Sequence, residues 1–476
     1  MSNLFTSIKS FIFPKPNQNK TIYYRNYEGA SKSKRTENWI TSSSSSNSEL
    51  KGSLSLLRDR ARDLVRNDPH AARGIQAIVS NTISTGIIPQ AKGTNINAKK
   101  LDDLFKLWGD TILCDADGHH DFYGLQSLVM KTVAESGECL IRKRRRRYSD
   151  NTTIPIQLQV IEPDYIDSSK EGVTKSGNRI VQGIEFNKIG NRAAYWLYKD
   201  HPGDSSSITT NNFSSIRIPA SDVLHIYRVD RPGQVRGVSW LAPALIPIKE
   251  LSDGFDAELV RKKVANCFVA FVYNSDGNSD KKFIDKTLQP GTLQRLDPGE
   301  QITFSNPPEI EGLKDFSKIH LQRVAAGLGI TYEVLTGDLS NVNFSSGRMG
   351  WIEFNRNIKQ WRWQLIIPKM CAPIWHWFLE GAELLGYDTQ GVGVTWTPPR
   401  REMIDPGKEI SAMKDAIRSG LMSLSEAQRQ LGYDPEDILD EMAADNKKLD
   451  KLGLILDSDP RNTNKQIGTN NKGGAN

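Results

Sequence analysis

Cysteine is scarce and scattered. The four residues, Cys114, Cys139, Cys267 and Cys371, lie far apart in the chain, so no CxxC metal site exists. The expectation is free, buried thiols in a reducing compartment. Long apolar runs are lacking as well. The longest, VANCFVAFV from Val264, is about half of the ~18 residues that a membrane span needs, and it reads as core. The opening SIKSFIFPKPNQNK holds too short an apolar stretch for a signal peptide and is stopped by prolines. These absences exclude a helical membrane span. They give the expectation of a soluble protein with no membrane partner, not exported by a signal of its own.

Signatures of catalysis are missing too. There is no GxxxxGK[ST] phosphate loop, no HExxH helix and no GxSxG elbow. The histidines, His70, His119, His120, His201, His225, His320 and His376, form no recognisable catalytic group with their neighbours. The segment DADGHHDF, Asp115 to Phe122, faintly echoes a calcium loop, but its twelfth position is Gln126 and its glycine is misplaced. Adjacent His119 and His120 cannot act as a spaced metal pair on a helix. That segment reads as a surface turn capping the next helix. No metal, no cofactor and no enzymatic activity are expected. A nuclease with carboxylates scattered in sequence but gathered in space is the enzymatic rival. A monomeric adaptor for coat or tail proteins is the other.

What is present suits a large α+β protein. The 476 residues are 38% apolar and 25% charged, which suits two to four domains. The formal net charge is only +6, so its distribution matters more than its sum. Residues 1–50 read as a flexible arm: Lys15 to Arg35 is basic and carries Tyr23, Tyr24 and Tyr27, and TSSSSSNS from Thr41 has no apolar area to bury. A second basic run, Arg142, Lys143, Arg144, Arg145, Arg146 and Arg147, stands before a predicted strand. Six adjacent cations repel, so phosphates, an acidic protein face or plentiful solvent must accommodate them. Arg261, Lys262 and Lys263 form a third cluster.

The chain is organised around Phe316 to Leu379. Phe316, Ile319, Val324, Leu328 and Val334 mark one helix. Thr336 to Arg348 is a polar interruption rich in Gly, Ser and Asn. From Met349 a long helix carries Trp351, Phe354, Ile358, Trp361 and Leu365 at steps of three and four. Pro368 and Pro373 should kink or break it. Upstream, helices are predicted over Leu50–Ile83 with a restart at Asp68–Pro69, over Asn97–Cys114, over Phe122–Glu135 and from Val238 to Asn266. Ile87–Ile88–Pro89 leads into a loop. Between the third and fourth helices lies a strand-rich module with strands from Ile154, over Arg179–Phe186, Ala193–Lys199 and Val223–Tyr227. Pro290–Gly291 and Pro298–Gly299 mark turns between short strands. TWTPPR ends a strand, and short helices start at Asp405–Pro406, Ser425 and Asp434–Pro435 before a disordered tail.

Six segments carry a family resemblance: Ala61–Gln90, Ala134–Leu140 (AESGECL), Ile161–Asp167 (IEPDYID), Asp222–Leu245, Leu288–Glu300 and Phe344–Arg356. In their order and spacing the chain resembles the portal proteins of tailed bacteriophages, lambda-type family, from about Ser55 to Leu452. The resemblance implies a ring, usually of twelve subunits, at one capsid vertex. Through it the terminase motor drives double-stranded DNA, which later leaves the same way. It implies a portal fold of wing, helical stem, strand-rich clip and helical crown. Carried onto this chain, the arm is 1–50 and the wing begins with 51–121. The first stem helix is 122–138, the clip 139–232 and the second stem helix 233–266. The wing resumes over 267–336, followed by the tunnel loop 337–348, the long wing helix and strand 349–395, the crown 396–452 and the tail 453–476. The implied partners are further copies of the chain, double-stranded DNA, the terminase large subunit, the major capsid protein and head–tail connector proteins. The implied place is the capsid portal vertex of the virion, with assembly in the host cytoplasm.

A channel for DNA of any sequence must hold phosphate weakly and ignore base edges. Asn341, Asn343, Ser345 and Ser346 can donate to phosphate, and Arg348 adds one charge, repeated around a closed ring. Arg142–Arg147 falls at the implied stem–clip junction, where it faces DNA, an acidic terminase surface or head-completion proteins.

Overall fold

The structure is a computed structural model; it describes residues 37–93, 96–150, 152–204, 214–266, 270–274, 300–304, 312–400 and 402–454, with single positions 34 and 456. Most of the arm, Cys267, both Pro-Gly turns and nearly all of the tail therefore lie outside the described residues. After the short helix α1 (Ser46–Leu50), helices α2 (Leu54–Asn67) and α3 (Pro69–Thr82) are separated by one residue. Asp68 is extended, its carboxylate accepts from Ala71 N, and Pro69 fills the first turn, where its missing N–H costs nothing. The stretch expected as a loop at Ile88–Pro89 is instead strand β1 (Ile88–Lys92). Its partner lies near the other end of the chain, a pairing local pattern does not reveal.

Helix α4 (Ile96–Gly109) buries the expected face, Leu101, Leu104, Phe105 and Trp108. The DADGHHDF segment is the turn expected: buried Asp115 accepts from Asp117 N, His119 N and His120 N, and Asp121 caps α5 (Phe122–Ser136) by accepting from Gly124 N. Helix α5 was expected as the first stem helix, outside the wing. It lies at the centre of the main core, with Phe122, Leu125, Val129, Met130, Val133 and Ala134 all buried against α2 and α3. Apolar side chains on that many sides of a helix bury it rather than expose it.

The basic run is not ahead of the first strand but within it. Strand β2 (Glu138–Arg145) lies between β3 (Ile156–Ile161) and, later in the chain, Val223–Tyr227, both antiparallel to it. Cys139 and Ile141 face the main core, whereas Leu140 faces a second apolar cluster. That cluster is covered by a five-stranded antiparallel sheet: β4 (Gly172–Val173), β5 (Arg179–Val181), β6 (Ile184–Phe186), β7 (Arg192–Leu197) and β8 (Ile216–Pro219), in that order. The single strand predicted over Arg179–Phe186 is a tight hairpin, because Gln182 and Gly183 both take positive φ, 47° and 81°. Strand β9 (Val223–Tyr227) returns the chain to β2.

Helix α6 (Leu245–Asn266) starts later than predicted, with Pro247 in its first turn. Strands β10 (Ala270–Asn274) and β11 (Glu300–Phe304) pair antiparallel, and α7 (Leu313–Leu328) packs back on α6. After α8 (Tyr332–Thr336) comes the long helix. It comprises α9 (Phe344–Trp361), a π-helical segment (Arg362–Cys371) and α10 (Ala372–Leu384), 41 residues without interruption. The predicted break does not occur. Pro368 lacks an N–H, and the backbone there widens to i→i+5 bonding, while Pro373 sits in the first turn of α10. Within the widened segment Arg362 donates to the carbonyls of Thr82 and Asn81, ending α3. Phe105, Trp108, Phe122, Trp375 and Phe378 form the aromatic centre, with ring pairs 5.0–5.9 Å apart. Strand β12 (Gly393–Thr397) pairs with β1. Helices α11 (Pro406–Arg418), α12 (Leu424–Gln430) and α13 (Pro435–Leu452) follow, capped by Asp405, Ser423 and Asp434.

One buried charge cluster joins these layers. Glu138, fully buried, accepts from Arg236 Nε and Nη2, from His225 Nε2 at 2.9 Å and from Gly237 N at 2.8 Å. Burial alone would raise its pKa, but the Arg236 charge and the His225 bond hold it well below the usual carboxylate range. Arg236 also donates to the carbonyls of Gln182 and Pro163. Arg62 donates to Asp164 and to Ser136 Oγ. The backbone crossing permits only glycine: a Cβ on Gly237 would stand 2.2 Å from the Gly137 carbonyl oxygen, and one on Gly137 2.4 Å from the Val238 carbonyl carbon. The segments AESGECL, IEPDYID and QVRGVSW meet here.

His225 is neutral in this cluster, because Arg192 donates to its Nδ1 while Nε2 donates to Glu138. Burial pushes its pKa from 6.5 down to about 4. The unfolded chain therefore binds the extra proton first. Stability present above pH 6.5 falls as pH drops from 6.5 toward 4, by up to ~3 kcal/mol, and this contribution then levels off. Urea unfolding across that window should show the slope, and His225→Gln should flatten it.

Candidate nucleic-acid interface

The polar stretch expected as a tunnel loop is shorter than its sequence suggests. The chain leaves α8 at Gly337, Asp338 accepts from Ser340 N, and helix α9 begins at Phe344 rather than after Arg348. Asn343 is the reason. Its Oδ1 accepts from Ser346 N at 2.8 Å, and Ser346 Oγ accepts from Asn343 N at 3.1 Å, a reciprocal cap. The five residues named from sequence, Asn341, Asn343, Ser345, Ser346 and Arg348, are all exposed and lie together at this helix start. Their chemistry divides. Asn343 and Ser346 are engaged in the cap, which leaves the Asn341 amide, the Ser345 hydroxyl and the Arg348 guanidinium pointing donors outward, beside the positive end of a long helix.

The strand alternation of β2 splits the basic run in the same way. Lys143 is buried: its ammonium lies 2.7 Å from Glu380, 3.8 Å from Asp222 and 5.2 Å from the centre of the Trp377 ring. Arg145 grips Asp222 with two bonds of 2.8 and 2.9 Å, and Arg146 donates to Gln157. Arg142 and Arg144, half-buried on the opposite strand face, make no ion pair among the described residues, nor does exposed Arg147. The third cluster is largely answered within its own helix: Arg261 and Lys262 both reach Glu258, and Lys263 remains exposed. The structure therefore does not bring these three groups to one site. It converts half of the run Arg142–Arg147, namely Lys143, Arg145 and Arg146, into internal bonding.

Two features were not legible beforehand. Glu162, Asp164 and His201 come together with ligand atoms within 4.8 Å of one another. Arg62 already lies 2.7 Å from Asp164 and 3.3 Å from Glu162, and Arg58 3.5 Å from Asp164, so this group is an ion-pair cluster rather than a vacant cation site. The second is a set of uncovered apolar side chains on two packed helices. Ile246, Phe255, Leu259 and Val260 on α6, and Phe316 and Ile319 on α7, are 41–69% exposed, while Leu251, Val324 and Leu328 are buried. The helical periodicity of these residues was visible in sequence. Which stripe the chain itself covers was not.

A family model described as phage portal protein, lambda family, matches residues 32–362. A probable portal protein of Halomonas phage phiHAP-1 is 26% identical over 432 residues, covering 84% of this chain and 81% of that protein. The portal protein of Escherichia phage N15 is 20% identical over 478 residues, covering 87% of this chain and 88% of that one. Among solved structures, a chain of the neck of an empty gene transfer agent particle, computed with C6 symmetry, is 14% identical with a TM-score of 0.49; the match covers 80% of this chain and 94% of that one.

The cap at Asn343 is directly testable. Asn343→Ala should cost ~1 kcal/mol at the helix start, which accelerates hydrogen exchange of the amides of residues 344–347 about fivefold while global unfolding stays unchanged. Unchanged exchange there would mean that the helix start does not depend on this residue.

Proposed function

The chain belongs to the lambda family of phage portal proteins, and from that premise we propose that its copies close into a ring whose axis conducts double-stranded DNA. It is a structural protein of the virion, at the portal. The observation that carries the ring reading is the set of uncovered apolar side chains on α6 and α7. Burying one such side chain fully contributes about 1.5–3 kcal/mol, so large apolar side chains left exposed on both helices favour burial against a neighbouring copy. In a closed ring each copy offers one side of this pair to its neighbour and receives the other. The crown supports the same reading: α11 has no buried residue, and Ile410 on it is 55% exposed.

The order helix, antiparallel strand pair, helix in α6, β10, β11 and α7 is the order of stem, clip and stem that the family resemblance implies. We assign these elements to that role in this chain, in place of 122–138 and 139–232, because α5 and β2 are committed to the core. The turn at 337–343 with the first turn of α9 lines the channel. There Asn341, Ser345 and Arg348 touch phosphate weakly, a sequence-blind contact repeated around the lumen. The terminase large subunit supplies the motor. The outer faces of the ring hold terminase, the major capsid protein and the head–tail connector proteins in turn. The chain acts as conduit and dock and performs no chemistry on the DNA.

Purified protein should appear in negative stain as rings with an axial hole, about twelve-fold. Leu259→Asp with Ile319→Asp should release folded single subunits with an unchanged unfolding transition. A wild-type chain that stays single, or intact rings in the double variant, would overturn this interface.

Replacing Ser340–Asn341–Val342 by glycines keeps the Asn343 cap, so rings should form normally. DNA packaged per particle should fall at least ~10-fold if weak contacts at the lumen guide the duplex. Full packaging by this variant would remove these residues from the channel.

A further inference from the structure

We propose that the cleft between β2 and β8 is a docking groove for an extended acidic segment of a partner protein, held by Arg142 and Arg144 and by the open edge of β8. The proposal deepens the portal reading by naming the chemistry of one partner contact. The cleft itself rests only on the geometry below.

The cleft has a volume of about 320 Å³. One wall is the outer part of β2, and the other is formed by Ile216, Arg217, Ile218 and Pro219, the whole of β8, together with one carboxylate, Asp222, which is bonded to Arg145. Strand β8 is last in its sheet. It pairs with β7 on one side, and its other side has no strand partner among the described residues. Such an edge offers backbone donors and acceptors to an added extended chain.

The charges of the cleft are unequal. Lys143 and Arg145 are answered by Glu380 and Asp222, and Arg217 by Glu185 at 2.8 Å. Arg142 and Arg144 make no ion pair among the described residues; Asp222, which acts on Arg142 from a distance, is already bonded to Arg145. Arg142 and Arg144 share one strand face, two residues apart, so their stems are spaced ~6.6 Å along the strand. That is also the spacing of alternate side chains on an extended peptide. Both residues are half-buried and share the strand face of Leu140, which packs in the second apolar cluster. Burial and the neighbouring Arg144 charge lower the Arg142 pKa, and the Asp222 carboxylate offsets them only in part.

These features favour peptide over nucleic acid. A duplex is far wider than the cleft and could touch only its rim. Phosphodiester offers no pattern of alternating donors and acceptors for a strand edge. Carboxylates at alternate positions of an extended chain meet both requirements, and each arginine binds a carboxylate with two parallel bonds.

The test uses the purified full chain, a fluorescent peptide of alternating Asp and Val, its Lys–Val counterpart and a short duplex DNA of the same label. Anisotropy should show salt-sensitive binding of the acidic peptide and none of the basic one. Arg142→Gln with Arg144→Gln should weaken that binding at least ~10-fold. Arg147→Gln, altering an exposed arginine outside the cleft, should leave it unchanged. Each single variant, with its thermal unfolding recorded, guards against a folding defect in the pair. No peptide binding, peptide binding indifferent to both arginines, or duplex binding that depends on them would each overturn the proposal. Rings missing from negative stain would count against the portal assembly instead, since the cleft is complete within one subunit.

Discussion

A carboxylate with no water around it, Glu138, constrains much of this chain. It sits where helix α5 ends and strand β2 begins, and it is answered from two other segments: Arg236 and Gly237 after β9, and His225 within β9. A buried charge of this kind adds little net stability over an apolar residue, but it is costly to leave unpaired. The consequence is geometric. Chain segments far apart in sequence must arrive together, and two glycines must cross within van der Waals distance for them to do so. The five-stranded sheet is tied to the same point, because Arg236 also bonds Gln182 at its hairpin and Arg192 reaches His225 from β7. The long helix packs on that assembly, with Lys369 donating to the Tyr227 carbonyl and Trp361 stacked 5.1 Å from Trp240.

From this fixed centre the chain sends out elements it does not cover. Helices α6 and α7 leave apolar side chains in solvent, and the C-terminal helices bury little of their own surface. Tethers such as Lys99–Asp440 and Lys106–Asp437 hold α13 to α4, but exposed pairs of this type contribute at most ~1 kcal/mol each. A rigid, self-sufficient core with unsatisfied peripheral helices suits a subunit whose fold is completed by its neighbours. That agrees with membership of the portal family.

The basic residues show how a strand redistributes what a sequence merely counts. Read linearly, Arg142 to Arg147 is a block of like charge. On a strand with a period of two, alternate residues go to opposite faces. Lys143 and Arg145 meet Glu380 and Asp222 beside the main core, whereas Arg142 and Arg144, on the opposite strand face, make no ion pair among the described residues. The tunnel stretch is similar. Asn343 and Ser346 read as phosphate donors in a loop, but the helix needs them to satisfy its first backbone amides.

Much was nevertheless legible from local pattern. Caps followed by proline announced α3, α11 and α13, and helical spacing placed helices at α4 and α5, because these are local backbone and periodicity effects. The family, too, was readable from the order of short segments. Three things were decided only by tertiary structure. Strand β1 exists because β12 comes to meet it. Pro368 widens the long helix to π-type bonding rather than ending it, within a segment whose Leu365, Ile366, Ile367 and Met370 are buried in the main core. Helix α5 is buried in the main core, because α2 and α3 pack against it. A sequence specifies which residues prefer to be buried or paired; which partner arrives to bury or pair them depends on contacts between residues far apart in the chain.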